Sequence, residues 1–329
     1  MRRTQNNRWL WATAILSSIV LIGFVISLVD WRQATAVVSG ANKRLLLFGV
    51  TLLALEGFIT AQRILLLSIG SASYTQCLRA TAWYVLLLLA LPARLGEVAG
   101  VGTLIRYVNQ LPGEAAVNLL LQRIFDVLVL GTLLGAASVF SVSGDHRTIA
   151  LGGAILLVGL LLFAIINLAA LIGLLARLLY RWRKSIWVHR LLKFVLQARR
   201  SVKQHINLVV AGKLMTLTVI KWFFILAGIT CVVLSVVADL DPVSAFGVGV
   251  AYNLAALIPL QTIGGAGITE VVLLGSFKWL GYTAVSGATL AIAIRLALLV
   301  GPILFGAVLL VYFEFLSVNK NVVGINERT

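Results

Sequence analysis

The stretch LPARLGEVAG, residues 91–100, sets proline, glycine and two opposite charges at the end of an apolar run. A guanidinium or carboxylate at the depth of lipid tails costs about 2.5 to 3.5 kcal/mol on insertion scales, so it faces a bundle interior or a watery cavity. Pro92 and Gly96 break the helix beside Arg94 and Glu97. Backbone groups freed at membrane depth must be buried in protein or line such a cavity. IPLQTIGGAGITE, residues 258–270, repeats this chemistry with Pro259, Gly264, Gly265, Gly267 and the carboxylate of Glu270. Two such interruptions in corresponding halves of a chain point to a transporter's binding site.

Outward from these stretches the chain reads as an all-α polytopic membrane protein. Of its 329 residues, 60% are hydrophobic and 12% charged, with a mean hydropathy of +1.03. Apolar segments of about 20 residues, enough to cross a hydrocarbon core of about 30 Å, recur along nearly the whole length. A soluble fold is excluded. The net charge of +16 lies mainly between apolar segments, which fits an anionic membrane surface and argues against nucleic acid. Cys77 and Cys231 form no CxxC pair, so neither a metal site nor a disulfide framework is indicated, and no cofactor is expected.

Six full spans are expected, at about residues 9–29, 45–60, 115–140, 149–176, 214–237 and 284–316. Arginines ahead of the first span make segment 1–8 a cytoplasmic tail, and nine Lys/Arg between Arg177 and Lys203 make that loop cytoplasmic as well. Counting spans from both sides makes 80–113 enter and return on the cytoplasmic face. The segment 243–283 then enters from outside, and 317–329 is a cytoplasmic tail. These are two oppositely oriented re-entrant hairpins, an inverted-repeat-like arrangement within one membrane domain. Both termini are then expected on the cytoplasmic side, of a membrane taken to be a bacterial-type plasma (inner) membrane. Arg32, Lys43 and Arg44 fall on the external side of this count, against the positive-inside bias.

The connecting segments carry their own expectations. SVSGDHRT, residues 141–148, reads as a short turn, and 177–206 as an interfacial amphipathic helix anchored on anionic lipid, with His189 and His205 solvated. Lys213 and Lys221 are placed at the cytoplasmic end of a span, where long side chains snorkel. Asp239 and Asp241 form a D-x-D that could hold a metal, but before Pro242 it reads as an exposed turn. Glu56, inside the second span, is taken as satisfied by a neighbouring helix.

The charged set inside the apolar bundle is Arg94, Glu97, Arg106, Arg123, Asp126, Glu270 and Arg295. Arg123 and Asp126 lie three residues apart on one helical face and can pair. Guanidiniums outnumber carboxylates in the set, and arginine's planar fork suits bidentate contact with phosphate. Helix N-termini after Gly96 and Gly267 add partial positive charge. The guest these groups suit is an anionic headgroup.

Pro92, Arg94, Gly96 and Glu97, then Arg123 and Asp126 in QRIFD, then Pro259, Gly264, Gly265, Gly267 and Glu270, then Arg295 follow one another in an order that resembles the lysylphosphatidylglycerol synthase transmembrane, or flippase-like, family over residues 45–316. The chain departs from that pattern at Gln122, where glutamate is more usual, and at 260–263, where a second proline and another glycine are usual. The resemblance implies translocation of lipids: aminoacylated phosphatidylglycerol in some members, hopanoids or glycolipids in others. Only residues 317–329 follow the membrane region, so no aminoacyl-transfer activity is expected.

Three functions are compatible with these residues. A lipid transporter would bind phosphate with Arg94, Arg123 and Arg295 and use Glu97 and Glu270 to gate or to hold cationic parts. With no GxxxxGK, movement is passive or coupled to a gradient through Glu97 or Asp126. A membrane-embedded lipid or glycolipid transferase would use Glu97 and Glu270 as acid and base, without a nucleophile–base pair to support it. A non-transporting partner of a separately encoded lipid-modifying enzyme would keep the charges for structure alone. Gly96 and Gly100, like Gly131 and Gly135, have GxxxG spacing that serves internal packing or a homo-oligomer.

Overall fold

The computed structural model describes residues 37, 39–68, 72–91, 95–141, 145–181, 185–205, 207–255 and 268–326. Among these the regular structure is helical throughout, with no strand. The ten helices are α1 (Lys43–Leu66), α2 (Tyr74–Ala90), α3 (Leu95–Val108), α4 (Pro112–Ser141), α5 (Asp145–Tyr180), α6 (Ile186–His205), α7 (Leu208–Val236), α8 (Pro242–Ala255), α9 (Ile268–Trp279) and α10 (Ala284–Asn326). Four stretches of the described residues are long and apolar enough to span a bilayer: Lys43–Leu66, Pro112–Leu133, Leu208–Val236 and Val285–Phe313. The expected span at 9–29 lies outside the described residues.

Local chemistry places the helix ends. Ser73 and Gln76 form a reciprocal capping box at α2: Ser73 N donates to Gln76 Oε1 at 2.9 Å and Gln76 N to Ser73 Oγ at 3.3 Å. Asn42 caps α1 and Asn207 caps α7, each side-chain oxygen accepting first-turn amides. Asp241 caps α8, accepting from Val243 N at 3.0 Å and Ser244 N at 2.9 Å, with Pro242 at the first helical position. The D-x-D is thus a helix cap. Hydrogen bonds from Ser244 and then Val243 hold the exposed Asp241 carboxyl below the usual carboxylate range. α9 ends in a Schellman motif: Gly281 adopts φ +91°, Tyr282 N donates to Phe277 O at 3.0 Å and Gly281 N to Lys278 O at 3.1 Å. The Phe277 and Tyr282 rings close it edge to face at 5.6 Å.

The chain divides into two compact units, residues 1–58, 81–100 and 223–329 in one, and 59–80 and 101–222 in the other. In the first, the core joins Leu53 of α1, Val232 and Val233 of α7, Val248 of α8, Leu273 and Phe277 of α9, and Ile294 and Leu298 of α10. Backbones touch where glycines allow it. A Cβ on Gly49 would lie 2.7 Å from the Gly228 carbonyl oxygen, and one on Gly301 would lie 2.8 Å from the Val50 oxygen, so α1 approaches α7 and α10 closely enough that its neighbours there leave no room for a side chain. A Cβ on Gly96 would fall 2.5 Å from Leu88 Cα, so the start of α3 lies against the end of α2. α10 runs through Pro302.

In the second unit, α4, α5 and α6 pack together around Val117, Leu121, Phe125, Leu168, Ala198 and Val202. Three boundaries differ from the sequence reading. Residues 145–148 are the first turn of α5, and 177–180 its last, so the amphipathic helix begins only at Ile186. Its Leu192, Val195, Ala198 and Val202 are buried against neighbouring helices, so the apolar face expected to lie on lipid is largely covered by protein. The expected tail from 317 continues α10 as far as Asn326. Hydropathy locates apolar runs but gives no signal that ends a helix where it leaves the bilayer.

Candidate functional site

On α4, Asn118, Gln122 and Asp126 recur every four residues and form a polar stripe, beside the apolar stripe of Val117, Leu121 and Phe125. The polar stripe is buried. Asp126 Oδ1 lies 3.0 Å from Arg63 Nη1 and accepts from Trp222 Nε1 at 3.2 Å, while Oδ2 accepts from Lys221 Nζ at 3.1 Å. Arg63, 1% exposed, also donates through Nη2 to the Gln122 carbonyl at 2.8 Å. Gln122 Nε2 donates to Asn118 Oδ1 at 2.8 Å, and Asn118 Nδ2 to the Ile64 carbonyl at 3.2 Å. The glutamine that departs from the family pattern is therefore a neutral link in this network. Arg123, half-buried, adds a third positive charge acting on Asp126. Breaking a buried pair by removing one partner leaves an uncompensated charge and costs about 3–5 kcal/mol.

Arg63, Lys221 and Trp222 were not among the site residues expected from sequence. Arg63 stands in the last turn of an apolar helix and reads as its polar end. Lys221 had a usable signal: it is the fourteenth residue of a 29-residue apolar helix, too far inside to be a terminal lysine. It points to Asp126 rather than snorkelling outward.

A second cluster gathers Tyr252 of α8, Glu270 of α9 and Arg295 of α10. Arg295, 8% exposed, donates through Nη1 to the Tyr252 hydroxyl, and its guanidinium lies 5.4 Å from the Tyr252 ring centre. Arg295 Nε is 3.7 Å from Glu270 Oε1, a longer contact than those around Asp126. Thr269 Oγ1 donates to Glu270 Oε2 at 3.0 Å. Glu270 stands in the first turn of α9, where the helix N-terminus favours a negative charge.

Two further expected site residues are on α3. Glu97 is half-buried in the first turn of α3. Arg106 is exposed in the last turn of α3, over the Tyr107 ring at 5.4 Å, with Arg79 over the same ring at 5.1 Å. Pro92, Arg94, Pro259, Gly264, Gly265 and Gly267 lie outside the described residues. Among the described residues no group of three or more His, Cys, Asp or Glu is placed to hold a metal ion.

The profile described as the lysylphosphatidylglycerol synthase TM region matches residues 9–306. The chain belongs to that family. The match reaches the first expected span and includes both ion-pair clusters, so Arg63, Asp126, Lys221, Glu270 and Arg295 are all parts of the family region. Membership gives the protein a membrane setting and a lipid-related function. No curated protein sequence and no solved structure matches the chain significantly.

Proposed function

We propose that the protein moves lipids between leaflets, binding an anionic or modified headgroup on buried charges while the acyl chains stay in the bilayer. The observation that carries this reading is the meeting of Arg295, Glu270 and Tyr252 from three helices in otherwise apolar sequence, with Glu270 following the glycine-rich sequence Gly264, Gly265 and Gly267. Arginine offers five donors in a fork that fits phosphate oxygens, and the tyrosine hydroxyl offers one more polar partner. The 3.7 Å contact between Arg295 and Glu270 is loose enough to exchange for a headgroup phosphate, with Glu270 then holding a cationic part of the headgroup or a proton.

The topology that goes with this reading puts α8 and α9 on either side of residues 256–267. They fit a re-entrant hairpin of 243–283, with 80–113 as its counterpart from the cytoplasmic face and about six full spans around them. Both termini are then cytoplasmic in a bacterial-type plasma membrane. In this reading Glu97 would couple movement to a gradient, and Arg94 and Arg106 would bind the headgroup phosphate. We assign no catalytic step to the chain. Phospholipids, glycolipids and polyprenyl phosphates are the substrate class, and a separately encoded lipid-modifying enzyme is a fitting source of modified headgroups.

The test is lipid movement in proteoliposomes with labelled anionic phospholipid and labelled polyprenyl phosphate. Wild type is expected to move at least one of them, and folded Glu270→Gln and Arg295→Lys variants to lose that movement by tenfold or more. Equal rates in wild type and both variants would remove this cluster from the transport path.

A further inference from the structure

The α6 helix has two chemically different faces. Its inward face is packed against protein, and its outward face carries His189, Lys193, Leu196, Arg200 and Lys203, all exposed and spaced to form one stripe. Between Asp145 and Asp239 the sequence holds no carboxylate. The first turn of α4 lies directly against this helix: a Cβ on Gly113 would fall 2.5 Å from the Phe194 carbonyl oxygen, and Gly113 N donates to Gln197 Oε1 at 3.4 Å. Between the two is an open cavity of about 570 Å³. Lys193, Arg200 and His189 line it together with Leu111, Leu196 and Glu114. Glu114 is engaged as a cap, accepting from Leu111 N at 3.1 Å. Leu111 and Leu196 are each about half exposed, so the wall beside the cations is apolar and open.

We propose that this groove between α4 and α6 is a binding site for an anionic phospholipid of the adjoining leaflet, separate from the cluster around Arg295. The phosphate lies between Lys193 and Arg200, at the positive end of α4, and the upper acyl chain runs along Leu111 and Leu196. The volume suits a glycerophosphate headgroup. A lipid is favoured over a soluble phosphate because apolar and cationic groups alternate along the same wall, and because α5 and α7, on either side of α6 in sequence, are apolar helices. The site does not depend on the transport reading.

Bound lipid is measured on the intact protein by native mass spectrometry, titrating phosphatidylglycerol against phosphatidylcholine, with circular dichroism and gel filtration confirming fold. Wild type is expected to retain phosphatidylglycerol preferentially. The doubly reversed K193E/R200E variant loses that preference by about tenfold or more. Glu114→Gln, which keeps the capping oxygen but removes the negative charge, strengthens it. Unchanged selectivity in K193E/R200E, or equal retention of phosphatidylcholine by wild type, overturns the proposal. Inorganic phosphate displacing the lipid at equal concentration would make the ligand a free anion and would also overturn it.

Discussion

The Asp126 and Arg295 clusters use the same kinds of side chain and are organised in opposite ways. Around Asp126 one carboxylate receives an arginine, a lysine and an indole N–H at 3.0 to 3.2 Å, and neighbouring amides and carbonyls complete the network. Around Arg295 the roles reverse: one guanidinium reaches a phenol and a carboxylate, and the carboxylate is 3.7 Å away. The first arrangement ties helices together, because each contact is short and losing the carboxylate strands two cations. In the proposed reading the second suits exchange, because a headgroup phosphate would replace the longest contact without emptying the site. The proposal therefore takes the tightness of pairing, rather than buried charge by itself, to separate scaffold from site.

The strongest way to break this comparison is at Asp126. Asp126→Ala strands Arg63 and Lys221 and is expected to cost about 3–5 kcal/mol, read by chemical unfolding in detergent. Asp126→Leu combined with Arg63→Met and Lys221→Met removes the charges together and is expected to recover most of that loss. A stable triple variant that moves lipid at the wild-type rate confirms a scaffold; a stable one that moves none would put Asp126 beside Arg295 as a substrate group.

Gly96→Leu comes next, at about 1–3 kcal/mol, because the new side chain meets the backbone of Leu88. A Cβ on Gly102 of the same helix would meet nothing within 4 Å, so Gly102→Leu serves as the control; equal melting temperatures for the two would rule out close packing beside Glu97.

At Glu270 the comparison is sharpened in the other direction. Glu270→Gln keeps an acceptor for Arg295 and is expected to cost about 1.5–3 kcal/mol, the scale of a hydrogen bond to a charged group and less than Asp126→Ala, while lipid movement falls tenfold or more. A collapse in yield as deep as that of Asp126→Ala would erase the distinction between the clusters. The smallest effect belongs to Asp241, outside both. Its carboxyl is held low by the α8 cap, so its stabilisation is complete above the unfolded value of about 3.9 and is lost as pH falls through the lower folded value. The melting-temperature gap between wild type and Asp241→Ala should narrow between pH 5 and pH 3.

The sequence made the membrane setting, the helical class and the family legible, because apolar run length and the order of Pro, Gly and charged residues are one-dimensional signals. Glu270 and Arg295 could be proposed for one site because each interrupts an apolar run. The partners of Asp126 could not be read, since Arg63 and Lys221 lie 63 and 95 residues away in the chain. Arg123, its neighbour in sequence, was the visible candidate, whereas the contacts from α1 and α7 join residues far apart in the chain. For α6 the amphipathic pattern was real, but a period of 3.6 does not say whether the apolar face meets lipid or protein.

The glycine contacts among α1, α7 and α10 bear on mechanics. Where Gly49 meets Gly228 and Gly301 meets Val50, main chain comes within van der Waals reach of main chain, so a side chain added at Gly49 or Gly301 would push the helices apart. α1 is thereby held close to α7 and to α10. In the lipid movement proposed above, Arg295 sits on one of these closely packed helices, and Tyr252 and Glu270 sit on α8 and α9.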